Sequence, residues 1–217
     1  MFTSLRGNAS SRFRAVFLTF DVVLACAASV LFIDLALARY MVANRDVFTE
    51  FAIKAIPDMG SPAAILSIVV PMATLTFVKA DGVRANRCLW IFGTIATAHG
   101  LCSILKFLFG RSRPELLFTK GVYGFDFLKV DYAFHSFPSS HAAICAGIAT
   151  VVGALYPERR LTMLAAGFAL AFAPVATGVH YLSDAVLGFG IGSLSAWAFQ
   201  MVLARSQLPL VEDSEAA

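Results

Sequence analysis

Two histidines, an aspartate, two serines and three cations stand at spacings that suit phosphoryl chemistry. They fall in three short runs: Lys106-Phe-Leu-Phe-Gly-Arg111-Ser-Arg113-Pro114, Pro138-Ser139-Ser140-His141, and His180-Tyr-Leu-Ser-Asp184. A guanidinium is a planar fork that matches phosphate oxygens, and a lysine ammonium adds a point charge. Backbone N–H groups at a helix start near Ser139 and Ser140 would bind an anion. His180 and Asp184 are four residues apart, one turn of a continuous helix. The carboxylate can then accept the proton of one ring nitrogen, leaving the other unprotonated and nucleophilic. His141 is the candidate general acid for the leaving oxygen, and a neutral His180 with a protonated His141 predicts a bell-shaped pH profile.

The elements that must position these groups follow from composition. Of 217 residues, 59% are hydrophobic and 14% charged, against about 25% charged in a soluble domain. Too little polar surface is available for a soluble enzyme or a disordered chain, so an integral membrane protein is expected. The four cysteines stand singly in apolar runs, without metal or redox spacing. A net charge of +3 is too small and dispersed to suggest nucleic acid.

Six segments approach the roughly 20 apolar residues that cross a bilayer as helix: Ala15–Ala38, Pro62–Val78, Cys88–Phe109, His141–Tyr156, Leu161–Val179 and Ala185–Leu203. They lack the alternation of barrel strands and must satisfy their own backbones, so the expected fold class is all-α. Residues 1–217 are read as a single membrane-embedded domain. Ser61-Pro62 suits a helix start, and Val47–Ile56 reads as a short interfacial amphipathic helix. The acidic Val211–Ala217 reads as a frayed end. Val23-Leu24-Ala25-Cys26 resembles a lipoprotein cleavage site, but Asp21 interrupts the run before it and apolar residues continue beyond, so a retained first span is expected.

With six alternating spans, the end of the third, the start of the fourth and the end of the fifth reach one face. Basic residues in the shorter segments favour both termini in the cytoplasm, which puts the three runs on the outer face of a cytoplasmic membrane.

Taken together, the three runs resemble the signatures of the type 2 phosphatidic acid phosphatase superfamily, whose members include membrane lipid phosphate phosphatases and soluble vanadium haloperoxidases. The likeness extends from the second span to the sixth, with Pro57–Pro62 similar to the family's entry into the second. It implies a metal-independent phosphatase with a six-helix membrane core and no cofactor. His180 would attack phosphorus, activated by Asp184, to give a phosphohistidine, and His141 would protonate the departing group. Lys106, Arg113, Ser139 and the backbone at Ser140 would hold the phosphoryl oxygens. The implied partners are a lipid phosphate or diphosphate and the surrounding membrane lipids. Polyprenyl diphosphate, phosphatidylglycerophosphate, phosphatidate and a lipid A phosphate fit equally well.

Two departures bear on this. Ser140 replaces the usual glycine of the second signature, a mild change if that position acts through its N–H. Ala173 and Pro174 occupy the places of the serine and arginine that open the third. One phosphate-binding guanidinium is therefore missing, at a cost of a hundredfold or more by analogy with loss of one oxyanion donor. Arg111 is a candidate replacement, or else a solvated loop or headgroup-binding residue. Pro174 should kink its span and free the carbonyl of Leu170. A phosphotransferase using the same intermediate, or a degenerate non-catalytic lipid-binding member, are the rival readings. Asp34 is expected to pair with Arg39 rather than orient a site cation, His99 to bond between helices, and His135 to face solvent. The aromatic loop Glu115–Phe137 is expected at the interface or lining a lipid entry.

Overall fold

The computed structural model describes residues 9–44, 74, 82–206 and 210. The expected amphipathic helix Val47–Ile56, the Ser61-Pro62 start, the C-terminal tail and, Thr74 apart, the second span lie outside them. Among the described residues the chain is helical, with one isolated bridge between Arg111 and Phe125. Helix α1 is Ala9–Ala28 and α2 is Asp34–Ala43, joined without a break by a π turn at Ser29–Ile33. Then come α3 (Gly82–Phe109), α4 (Pro114–Lys120), α5 (Ser140–Leu155), α6 (Arg160–Ala176) and α7 (Leu182–Arg205).

Among the described residues, four stretches are long and apolar enough to cross a membrane: Thr19–Ala43, Gly82–Phe109, Pro157–Ala176 and Leu182–Arg205. These cover the expected first, third, fifth and sixth spans, and α5 covers the fourth. At 16 residues α5 is the short one, roughly 24 Å long at 1.5 Å per residue. It is also the centre of the bundle, packed against α3, α6 and α7, while α1 packs on α7.

Lipid tails are as apolar as leucine, so membrane helices associate by close backbone approach at small residues rather than by escape from water. Helix α5 offers Ala142, Ala143, Ala146, Gly147, Ala149 and Gly153, all buried, and α7 offers Gly188, Gly192 and Ala196 at four-residue spacing. A Cβ on Gly192 would lie 2.0 Å from the Ala143 carbonyl oxygen, and one on Gly188 would lie 2.3 Å from that of Ser139. This contact brings the N-termini of α5 and α7 together, where His141 and Asp184 begin their helices. The Ser139 N–H donates to the Asp184 carbonyl at 2.9 Å, which fixes the relative depth of the two helices.

Gly192→Ala must therefore push α7 off α5. A loss of about 1–3 kcal/mol is expected, read as a lowered thermal midpoint in detergent. Gly100→Ala, inside α3 where a Cβ meets nothing within 4 Å, should leave the midpoint the same or slightly raised.

Candidate functional site: a buried carboxylate–arginine–carboxylate–histidine network

The site starts where α3 ends. Gly110 has φ +53° and donates its N–H to the Lys106 carbonyl at 2.9 Å, a left-handed helix end that glycine adopts at no steric cost. A side chain there would collide with the backbone of Asp126. The turn sends Arg111 inward, and Arg111 is 0% exposed. Its Nη1 donates to Asp184 Oδ1 at 2.5 Å and Ser183 Oγ at 2.6 Å, and its Nη2 to Asp34 Oδ2 at 2.6 Å and Tyr123 Oη at 3.3 Å. Its guanidinium carbon lies 4.3 Å from the Tyr181 ring centre and 5.1 Å from that of Phe125.

This corrects the expectation for Arg111. It is neither a solvated loop residue nor a replacement for the missing third-signature arginine, because both terminal nitrogens are held by buried carboxylates. Burial works against its charged form, and the charges of Asp184 and Asp34 more than reverse that, raising its pKa. Asp34 is likewise corrected: it pairs with Arg111, not Arg39. The π turn carries Asp34 there. The Asp34 N–H donates to the Ser29 carbonyl, and Ser29 Oγ donates to Asp34 Oδ1 at 2.8 Å. Ser183 reinforces the contact with its N–H at 3.0 Å to Oδ1 and its hydroxyl to Oδ2.

Asp184 links this cluster to the histidine. Its Oδ2 accepts from Ser136 Oγ at 2.6 Å and from the Tyr181 N–H at 2.8 Å, and it lies 3.4 Å from His180 Nδ1. The carboxylate can only accept, so this contact requires the proton on Nδ1 and leaves the lone pair on Nε2. His180 is 6% exposed. Its pKa is lowered to about 4, by burial first and then by the charges of Lys106 and Arg113, against the pull of Asp184. The ring is therefore neutral at physiological pH.

His180 is placed by the end of α6. Gly178, with φ +69°, turns the chain, and the Val179 and His180 N–H groups both donate to the Pro174 carbonyl, at 2.8 and 3.1 Å. Pro174 also acts through the N–H it lacks. The carbonyl one turn earlier, Leu170, loses its usual donor, and His141 Nε2 lies 3.0 Å from that oxygen. A carbonyl only accepts, so His141 carries a proton on Nε2. Ser139 caps α5, its hydroxyl accepting from the Ala142 N–H at 3.3 Å. Its own N–H is committed to Asp184, so of the two expected amides only that of Ser140, the first residue of α5, faces no such commitment.

Lys106 Nζ donates to the His135 carbonyl at 2.8 Å, and the Arg113 guanidinium lies 4.0 Å over the Tyr132 ring. The Arg113 N–H donates to the Ala133 carbonyl and the Ser136 N–H to that of Arg111, which lashes the aromatic loop over α3. Part of that loop reaches Arg111: the buried Phe137 and the still exposed Phe125 pack edge-on at 5.6 Å beside it. Phe127, Leu128, Val130 and Tyr132 remain exposed. His135 Nε2 meets the Lys129 carbonyl at 2.9 Å, and His99 contacts Ser103 on its own helix at 3.4 Å. Sequence reasoning missed Ser136, Ser183 and Tyr123. Ser183, inside the third run, offered a signal by position, whereas the other two sit in a loop without periodicity.

Two outcomes follow. Pro174→Ala restores a donor that competes for the Leu170 carbonyl, so 15N spectra should show the His141 Nε2–H tautomer losing population; an unchanged tautomer would contradict the contact. Between pH 6.5 and 4 the unfolded chain binds a proton at His180 that the folded chain excludes. Stability should therefore fall as pH drops through that window, by up to about 1.4 kcal/mol per pH unit. In detergent melts His180→Asn should flatten that slope; equal slopes would contradict a neutral buried ring.

Residues 87–207, more than half of the chain, match the family described as the PAP2 superfamily. The chain is 29% identical over 119 residues to lipid A 1-phosphatases of Rhizobium etli and Rhizobium johnstonii. The match covers 55% of this chain and 51% and 49% of theirs, so it spans about half the length of these curated relatives. The fold is similar to that of LpxE from Aquifex aeolicus, with TM-score 0.57 and 20% identity over 78% of this chain and 95% of that one. It is also similar to a transmembrane PAP2-type phosphatidylglycerolphosphate phosphatase from Bacillus subtilis, with TM-score 0.62 and 20% identity over 89% and 97%. With the three runs gathered at one end of an apolar helical bundle, the chain belongs to the PAP2 superfamily as a membrane-embedded member.

Proposed function

We propose that this protein is a lipid phosphate phosphatase that works through a phosphohistidine at His180. The observation that carries the reading is the His180 imidazole: neutral, bound through Nδ1 to Asp184, and under the charges of Lys106 and Arg113. Nε2 donates its lone pair to phosphorus while the P–O bond to the lipid breaks. His141 gives the departing oxygen its proton. Water then attacks the phosphohistidine, returning a proton to His141 and releasing phosphate with the His180 lone pair restored.

Lys106, Arg113, the Ser139 hydroxyl and the Ser140 N–H hold the phosphoryl oxygens in this reading. They do so without the third-signature arginine, so transition-state charge rests on fewer donors. The curated relatives bear the name lipid A 1-phosphatase, which makes a lipid A 1-phosphate the first substrate to try. The single domain, cytoplasmic termini and outward-facing site belong to the same proposal. The apolar loop residues Phe127, Leu128 and Val130 are exposed beside the site, which suits a substrate arriving laterally through the bilayer.

The test is phosphate release in detergent with EDTA from lipid A 1-phosphate, phosphatidylglycerophosphate, phosphatidate and a polyprenyl diphosphate. Release should persist in EDTA. His180→Ala should abolish it, and His141→Ala should reduce it by about 10²–10⁴-fold. Release from no lipid, or equal release from wild type and His180→Ala, would refute the reading.

A further inference from the structure

Asp34 is a buried carboxylate within the apolar stretch Thr19–Ala43, toward the end of the first span, and it touches none of the three signature histidine or phosphate positions. A charge in a membrane helix is costly and marks function by default. Its partners are Arg111, Ser183 and Ser29, and Arg111 in turn grips Asp184. The π turn adds a residue to the helix and so aims Asp34 at Arg111, and its loosened Val30 carbonyl accepts from Tyr123 at 3.3 Å. Such turns recur at functional sites.

We infer that Asp34 is a positioning residue for His180: it offsets the charge of Arg111, so that Asp184 stays a strong acceptor for the His180 Nδ1 proton. The inference rests on His180 being the nucleophile. Two carboxylates flank one guanidinium, so the cluster carries one net negative charge. When Nε2 bonds to phosphorus the ring turns cationic, and that charge develops in a dry environment where fixed neighbours act strongly. With Arg111 and Asp184 alone, the pair would be neutral and the ring would face it beside the cations Lys106 and Arg113. The other polar groups around the ring and the cluster, Ser136, Tyr123 and Tyr181, are uncharged at neutral pH. Asp34 therefore supplies the excess negative charge although it does not touch the ring.

The experiment compares wild type, Asp34→Asn and Asp34→Asn/Arg111→Gln in detergent, with folding checked by thermal melts. At neutral pH, 15N shifts of labelled histidine report the His180 tautomer, and phosphate release from phosphatidate gives kcat and KM. Asp34→Asn should lower kcat tenfold or more with KM within about twofold, and should move His180 from Nδ1–H toward Nε2–H. The double variant, which returns the net charge to that of Asp184 alone, should recover the Nδ1–H tautomer and part of kcat. If Asp34→Asn does not fold, Asp34→Ser, which removes the same charge with Arg111 in place, is read for the same tautomer shift. An unchanged tautomer in Asp34→Asn, or a double variant that fails to keep Nδ1–H, overturns the inference. A wild type that releases phosphate from none of the four lipids refutes the phosphatase reading instead, while the tautomer still tests Asp34.

Discussion

The structure depends on one charge being hidden in the wrong place. An arginine with no exposed surface, inside a bundle of apolar helices, would be untenable alone; removing one partner from such a buried cluster typically costs about 3–5 kcal/mol. Arg111 is tolerated because two carboxylates, two hydroxyls and a cage of aromatic faces meet it from the first span, the loop after α3 and the start of α7. Those elements are far apart in sequence and have little other polar reason to converge. The same contacts set where Asp184 points, and Asp184 sets which nitrogen of His180 carries the proton.

Packing and polarity divide the work. Small residues let α5 and α7 approach until backbone nearly touches backbone, which fixes the depth of Ser139, His141 and Asp184 to within a fraction of a turn. Polar contacts then fix direction: Gly110 aims Arg111, Gly178 and the Pro174 carbonyl aim His180, and the Leu170 carbonyl holds His141. Pro174 has no N–H to give the Leu170 carbonyl, and so contributes an acceptor for the other histidine.

Much of this was legible in the sequence. The apolar runs gave the helices, since a membrane admits few other backbones, and the three charged runs stood out because charge is rare in such segments. The Leu170 carbonyl was predictable from proline chemistry, although its recipient was not. Arg111 was misjudged because its place beside Arg113 suggested a shared target, whereas the glycine before it turns it the other way. Asp34 was assigned its nearest cation in sequence; its true partner lies 77 residues on, and a one-residue π offset leaves no mark in a periodicity. Ser136 and Tyr123 sit in a loop whose path is set by backbone hydrogen bonds that no residue type announces.

The most direct test of the account is to trap the intermediate. Purified protein would be mixed with a lipid phosphate carrying 32P in its phosphoryl group, then quenched in alkali within the turnover time. The account predicts label on the chain that survives alkali, is lost in acid, maps to His180, and is absent from His180→Ala. Phosphate release with no label on His180, or label that maps to another residue, would contradict it.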